Sequence, residues 1–210
     1  MSDQPKTGDG DQPVSAEDVK RLRELTGAGM MDCKRALQEA TGDLDRAMEL
    51  LRERGQAGIE KRKGRAANNG VVESYVHGEG RIGVLVELNC ETDFVGRTEE
   101  FKTLARELAM QVAAQAPRWV SRDEVPDDVV QSEKKIYAER ARQMGKPENV
   151  LDRIVDGMLE AFFKETVLLD QPYIRDDAKQ VEDLVKEIAA KVGENVVVRR
   201  FSRFQLGEEA

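Results

Sequence analysis

The chain has 210 residues, 40% of them hydrophobic and 35% charged, with a formal net charge of −8. That length suffices for one domain of ordinary size plus a small appendage, and the acidic balance disfavours DNA or RNA as the main partner. No apolar run reaches the ~18 residues a membrane span needs, and the two cysteines, Cys33 and Cys90, show neither metal-ligand spacing nor the density of a disulfide framework, as suits reduced thiols in a cytoplasmic protein.

Residues 1–14, polar and rich in Gly and Pro, read as a disordered tail without the apolar stretch of a signal peptide. Ser15-Ala16-Glu17-Asp18 resembles a capping box, and Val19, Leu22 and Leu25 follow at helical spacing. Thr26-Gly27-Ala28-Gly29 breaks that helix. A second helix spans Met31 to Ala40 with Cys33, Ala36, Leu37 and Ala40 inward. A third runs from Leu44 toward Gly55, a candidate C-terminal stop. Residues 15–55 thus predict a three-helix module with a small core. Residues 56–70 read as a basic linker whose first half can continue the helix. Its Lys61, Arg62, Lys63 and Arg65 are either a solvated stretch, the commoner fate of such a run, or a phosphate or RNA site.

Val71 to His77 and Arg81 to Leu88 alternate as two strands joined by a turn at Gly78-Glu79-Gly80. Helices are predicted at 99–115, 127–144, 148–169 and 177–192, and a closing strand at 196–206. Phe201 is out of phase with Val196, Val198, Phe204 and Leu206, which predicts a bulge near Arg200 to Ser202. Helices, hairpin, helices and one strand make an α+β fold: the N-terminal module, then a core (71–210) with a small antiparallel sheet covered by helices.

No catalytic constellation emerges. Gly78-Glu79-Gly80-Arg81-Ile82-Gly83 matches G-x-G-x-x-G but opens a strand, whereas a dinucleotide fingerprint must open a helix. The glycines suit a hairpin turn instead. His77, the only histidine, lacks a partner ligand, and Cys33 and Cys90 read as small core residues. Trp119, just after Pro117, is expected to pack a helix end. The protein is therefore expected to be no enzyme and to carry no cofactor or metal of its own.

Two short segments carry more information. Met30-Met31 follows Gly-Ala-Gly between two small helices: both side chains are buried, or one stays out as an adaptable contact for a partner helix. Thr92-Asp93-Phe94-Val95 lies between a strand and an amphipathic helix. Asp93 either caps that helix, with Phe94 folded back onto it, or the aromatic ring reaches out to enter another molecule.

Three stretches together resemble the bacterial translation elongation factor Ts family. They are Val19-Lys20-Arg21-Leu22-Arg23 continuing through Thr26-Gly27-Ala28-Gly29-Met30-Met31-Asp32-Cys33-Lys34; Asn89-Cys90-Glu91-Thr92-Asp93-Phe94-Val95; and Lys164-Glu165-Thr166-Val167-Leu168-Leu169-Asp170-Gln171-Pro172. The resemblance covers nearly everything after the tail. It implies a ubiquitin-associated-like N-terminal module followed by an α+β core, and guanine-nucleotide exchange on elongation factor Tu bound to GDP. It implies that Arg23, Met30 and Met31 contact a helix of the partner's nucleotide-binding domain. Thr92, Asp93, Phe94 and Val95 form the exchange turn, with Asp93 and Phe94 entering near the partner's magnesium and phosphate site and displacing that magnesium. The chain lacks the duplicated core and long coiled-coil insertion of the family's long form. It therefore looks like the short form, for which a homodimer is expected. A non-catalytic adaptor or chaperone-like binder is the alternative from another functional class. An RNA-associated factor would rest on Lys61 to Arg65 alone.

Overall fold

The computed structural model describes residues 14–208, so the tail expected over 1–14 lies almost wholly outside the described residues. The chain divides into two compact units. One gathers the residues up to Lys63 with Ala189–Glu194; the other holds Gly64–Ile188 and Asn195 onward.

The first unit is built on α1 (Ala16–Thr26), α2 (Met30–Glu39) and α3 (Leu44–Arg62). Ser15 caps α1 by accepting from the Asp18 N–H, and Asp43 caps α3 by accepting from the Arg46 N–H. Between α1 and α2 the Gly27 N–H donates to the Arg23 carbonyl at 2.8 Å and ends the first helix. Val19, Leu22, Cys33, Ala36, Leu37, Ala40 and Ala47 form the core, with Leu44, Met48 and Leu51 packed around it. Small residues dominate this core, so the helices approach closely.

α3 does not stop at Gly55. It continues to Arg62, through the first half of the segment 56–70, the half open to continuing the helix. A Cβ at Gly55 would lie 3.5 Å from the Ala190 Cβ, in ordinary contact. The glycine marks close packing inside the unit rather than a helix end.

The second unit contains a three-stranded antiparallel sheet in the order β1 (Asn69–His77), β2 (Ile82–Cys90), β5 (Val197–Gln205). β2 is central, and α5 (Glu99–Gln115) packs on its inner face and that of β1. Val84, Val86, Leu88 and Cys90 point inward against the α5 stripe of Phe101, Leu104, Ala105, Leu108 and Val112, all buried. The register of β2 against β5 shifts between Glu87, which faces Arg200, and Leu88, which faces Val198. The bulge therefore falls at Arg199, just before the expected position. The outer face carries exposed Val72, Val76, Leu85 and Phe204, with Gly83 directly between Val76 and Phe204 in the register.

α6 (Asp127–Gln143) and α7 (Glu148–Thr166) pack as a pair. Val125, Leu159, Phe162, Phe163 and Val167 are buried there, with Trp119, Val129 and Tyr137 against them. α7 ends at Thr166, short of the expected 169. The cause is a neighbouring segment: the Thr166 carbonyl accepts from the Arg118 and Trp119 N–H groups, and the Leu168 and Leu169 N–H groups donate to the Trp119 and Val120 carbonyls. Bonds to a distant segment of the same chain replace the helical ones. Residues 168–170 follow as a single 3-10 turn.

The helix expected from 177 starts only at Val181, as α8 (Val181–Val192). Residues 172–180 form a small hairpin instead, β3 (Pro172–Tyr173) with β4 (Asp176–Gln180). Buried Gln111 on α5 holds it: its Nε2 donates to Gln171 Oε1 and the Pro172 carbonyl, both at 3.1 Å, and its Oε1 accepts from the Ile174 N–H at 2.9 Å. The Gln180 N–H donates to Asp183 at 3.1 Å, which fixes where α8 begins. Among the described residues no helix is long and apolar enough to cross a membrane.

Candidate functional site

β2 ends at Cys90, and α5 begins at Glu99. Between them lies α4, a single turn of helix at Asp93–Gly96. The sequence folds this way because two threonines cap in series. Thr92 Oγ1 accepts from the Val95 N–H at 3.4 Å, and Thr98 Oγ1 accepts from the Phe101 N–H at the start of α5. Thr98 Oγ1 also donates to the Val95 carbonyl at 2.8 Å, which ties the two helices together. The capping role open to Asp93 thus falls to the threonines, and Asp93 pairs with Arg97 at 2.7 Å instead. Both partners of that pair are well exposed, so it contributes little to stability and can be exchanged for another partner.

The two apolar residues of the turn have opposite fates. Val95, grouped with the exchange turn from the sequence, is 6% exposed and belongs to the chain's own core. Phe94 is 78% exposed. The alternative in which its ring folds back onto the following helix is excluded. The cause is the backbone: in a single helical turn, adjacent side chains diverge by about 100°. Burying Val95 therefore turns Phe94 outward.

The floor under this turn is glycine. Gly70, at φ +141°, faces the β2 backbone so closely that a Cβ would sit 2.0 Å from the Leu88 carbonyl oxygen. A Cβ on Gly96 would in turn lie 3.3 Å from the Gly70 Cα. The two bare backbones let the turn settle against the start of β1. The Cys90 thiol, buried beneath the turn, donates to the Thr92 carbonyl at 3.1 Å.

In the N-terminal unit, Met30 and Met31 open α2, 46% and 64% exposed. Neither enters the bundle core, because Cys33, Ala36 and Leu37 already fill the inward face of that helix. Arg23 is exposed near the end of α1. Leu25, which follows Val19 and Leu22 at helical spacing, is exposed as well. Its rotation on the helix is visible only once the core is assembled. The cluster Lys61, Lys63 and Arg65 is exposed, with Arg65 3.6 Å from the Glu91 carboxylate. Among the described residues no group of three or more His, Cys, Asp or Glu side chains is placed to hold a metal ion.

The arrangement offers a presented aromatic ring beside an exchangeable carboxylate, plus a second apolar surface on a helical module. Comparison with known proteins shows the family. Residues 14–208 match the sequence profile of the family described as Elongation factor TS. Elongation factor Ts of Caldanaerobacter subterraneus subsp. tengcongensis is 57% identical over 195 residues, which is 93% of this chain and 98% of that protein. The factor of Thermotoga neapolitana is 55% identical over 196 residues, with the same coverage. That of Moorella thermoacetica is 54% identical over 195 residues, 93% of this chain and 96% of its own length. With the signature turn in place and this similarity running through both units, the chain belongs to the elongation factor Ts family of translation elongation factors.

Proposed function

We propose that this chain is a guanine-nucleotide exchange factor that binds elongation factor Tu in its GDP form and speeds GDP release. The observation that carries the reading is the outward Phe94 ring, 78% exposed on a turn anchored by buried Val95. Phe94 acts as a wedge between helices of the partner's nucleotide-binding domain, near its magnesium and phosphate site. Asp93 exchanges its bond to Arg97 for polar groups there and disfavours the partner's magnesium. Arg23, Met30 and Met31 anchor a partner helix on the N-terminal module.

The chemistry needs no covalent step, no cofactor of this chain and no enzyme activity. A GTPase holds its diphosphate through magnesium, a lysine and backbone N–H groups, and loosening a few of these suffices. Coupling is reciprocal: a factor that lowers nucleotide affinity is itself weakened by nucleotide. Incoming nucleotide therefore expels the factor. Speeding release by about ten-thousandfold takes roughly 5.5 kcal/mol off the barrier, and burying one Phe side chain contributes about 1.5–3 kcal/mol. Phe94 is thus the tip of a larger interface, to which the N-terminal module and the core must contribute.

The reading includes a cytoplasmic homodimer, supported by the outer sheet face with its exposed Val72, Val76, Leu85 and Phe204. Apolar side chains gathered on one face of a sheet are a surface that a second copy can cover. Phe204→Ser should shift the sedimenting species toward monomer.

Release of a fluorescent GDP analogue from elongation factor Tu, with and without this protein, tests the main claim. Acceleration is expected. Binding without acceleration would mark an adaptor, and strong salt-sensitive affinity for RNA would mark a factor working through the basic cluster.

A further inference from the structure

The exchange turn cannot hold itself in place. α4 spans only Asp93–Gly96, and a lone helical turn fixes several dihedrals for very few bonds. Its exit is secured by the Thr98 cap and by α5. Its entry needs an equivalent anchor, and Glu91 is placed to be one. Oε1 accepts from the Asn195 backbone N–H at 2.7 Å, and Oε2 lies 3.6 Å from Arg65 Nη1. The Glu91 carbonyl accepts from Asn69 Nδ2 at 2.8 Å. Asn195 Nδ2 then closes the ring by donating to the Arg65 carbonyl at 2.9 Å. One residue thus links the chain entering β1, the end of β2 and the chain entering β5. A carboxylate bonded to a backbone N–H is stronger than a neutral pair, and the Glu91 side chain is largely shielded from solvent.

We propose that Glu91 is a positioning residue for exchange: its clasp on Arg65, Asn69 and Asn195 fixes the entry of the turn, and so the direction in which Asp93 and Phe94 are presented. The proposal rests on the exchange reading above. Glu91 acts through Phe94 and need not touch the partner. Without the clasp the turn samples several orientations, and binding must then order it, which weakens the interaction that displaces nucleotide. The motif alone conceals this role, because an acid beside Thr92 and Asp93 reads as one more exposed charge.

The release assay on Glu91→Ala, Glu91→Gln and Asn69→Ala, each alone and combined with Phe94→Ala, tests the clasp beside amide hydrogen exchange of the free protein. Glu91→Ala is expected to slow release about tenfold, and Asn69→Ala about threefold, with neither loss adding to that of Phe94→Ala. Glu91→Gln keeps an acceptor for the Asn195 N–H and should retain most of the rate. Protection should fall at the Val95, Gly96, Arg97 and Thr98 amides, which bond within the turn, and stay unchanged in α5. A Glu91→Ala rate within about twofold of wild type, or a loss that multiplies with that of Phe94→Ala, overturns the proposal. If the wild-type protein fails to speed release, the exchange reading falls, and hydrogen exchange alone decides on the clasp: unchanged protection in Glu91→Ala overturns it, and selective loss upholds it. Should Glu91→Ala fail to fold, Asn69→Ala, at an exposed side chain, answers to the same criteria.

Discussion

Two corners of the second unit reverse the chain next to a helix, and they treat their aromatic residues in opposite ways. At the turn before α5, Phe94 stands in solvent while Asp93 and Arg97 form an exposed, exchangeable pair. At the corner where α7 meets residues 118–122, Trp119, Phe162 and Phe163 pack together, the first two with ring centroids 6.1 Å apart and the phenylalanines 5.7 Å apart. The charges there are committed internally. Arg122 donates to both oxygens of Glu160 at 2.8 and 2.7 Å and to Asp170 at 2.7 Å, with its guanidinium 4.6 Å from the Phe163 ring centroid. The same residue type is structural where its neighbours enclose it and available to a partner where they do not. The closed corner satisfies its own groups; the open corner leaves an aromatic surface uncovered and relies on the backbone beneath for rigidity.

The contrast can be broken most directly at the closed corner. Phe163→Ala should destabilise the fold by about 3–5 kcal/mol through a buried cavity, read by denaturant or thermal unfolding. Exchange per folded molecule should stay close to wild type. The opposite pattern is expected at the open corner. Phe94→Ala should slow GDP release about 10- to 100-fold, the equivalent of losing about 1.5–3 kcal/mol of apolar burial at the partner, while unfolding stability stays within about 0.5 kcal/mol. A large drop in stability with proportionate loss of exchange would erase the distinction between the corners.

Smaller effects sharpen it. Arg122→Ala should cost about 1 kcal/mol, a modest figure because the fork to Glu160 is over a third exposed; Arg97→Ala, which removes an ion pair at the open corner, should leave stability almost unchanged. The smallest effect is in pH dependence. The hydrogen bond from Arg122 holds the Glu160 carboxyl below its ordinary value of 4.5. A carboxyl depressed in the folded state contributes stability that is fully present above that ordinary value and is lost as pH falls through the lower folded value. Wild type should therefore lose stability more steeply than Glu160→Gln as pH drops below about 4.5, in acid titrations followed by circular dichroism.

The elements with strong periodicity were legible from the residues alone. The α5 stripe of Phe101, Leu104, Ala105, Leu108 and Val112 is buried as its spacing predicts, and the hairpin alternation places Val84, Val86 and Leu88 inward. What failed to read were places where local preference yields to a distant neighbour. Asp177 to Gln180 has no strand pattern of its own and joins β4 because Gln111, sixty residues before Gln171, secures the hairpin's other end. Gly55 looks like a stop and proves to be a packing contact with Ala190. In the candidate site, the motif marked Asp93 and Phe94 as a segment to watch and grouped Val95 with them, although that side chain is part of the core. Gly70, Gly96, Asn69 and Asn195 carried no signal, because close backbone approach and a clasp between segments exist only after the sheet is assembled.

The sequence by itself determined the α+β class, the helical N-terminal module, the existence of the strand-to-helix turn and the family. These follow from periodicity, capping residues and short motifs, all of which act within a few neighbours along the chain. Only the tertiary structure decided which way the residues of that turn face. Val95 can be buried because Gly70 and Gly96 let two backbones meet, and once it is buried the helical geometry sends Phe94 outward. Orientation is a property of packing between segments distant in sequence, and no local pattern encodes it.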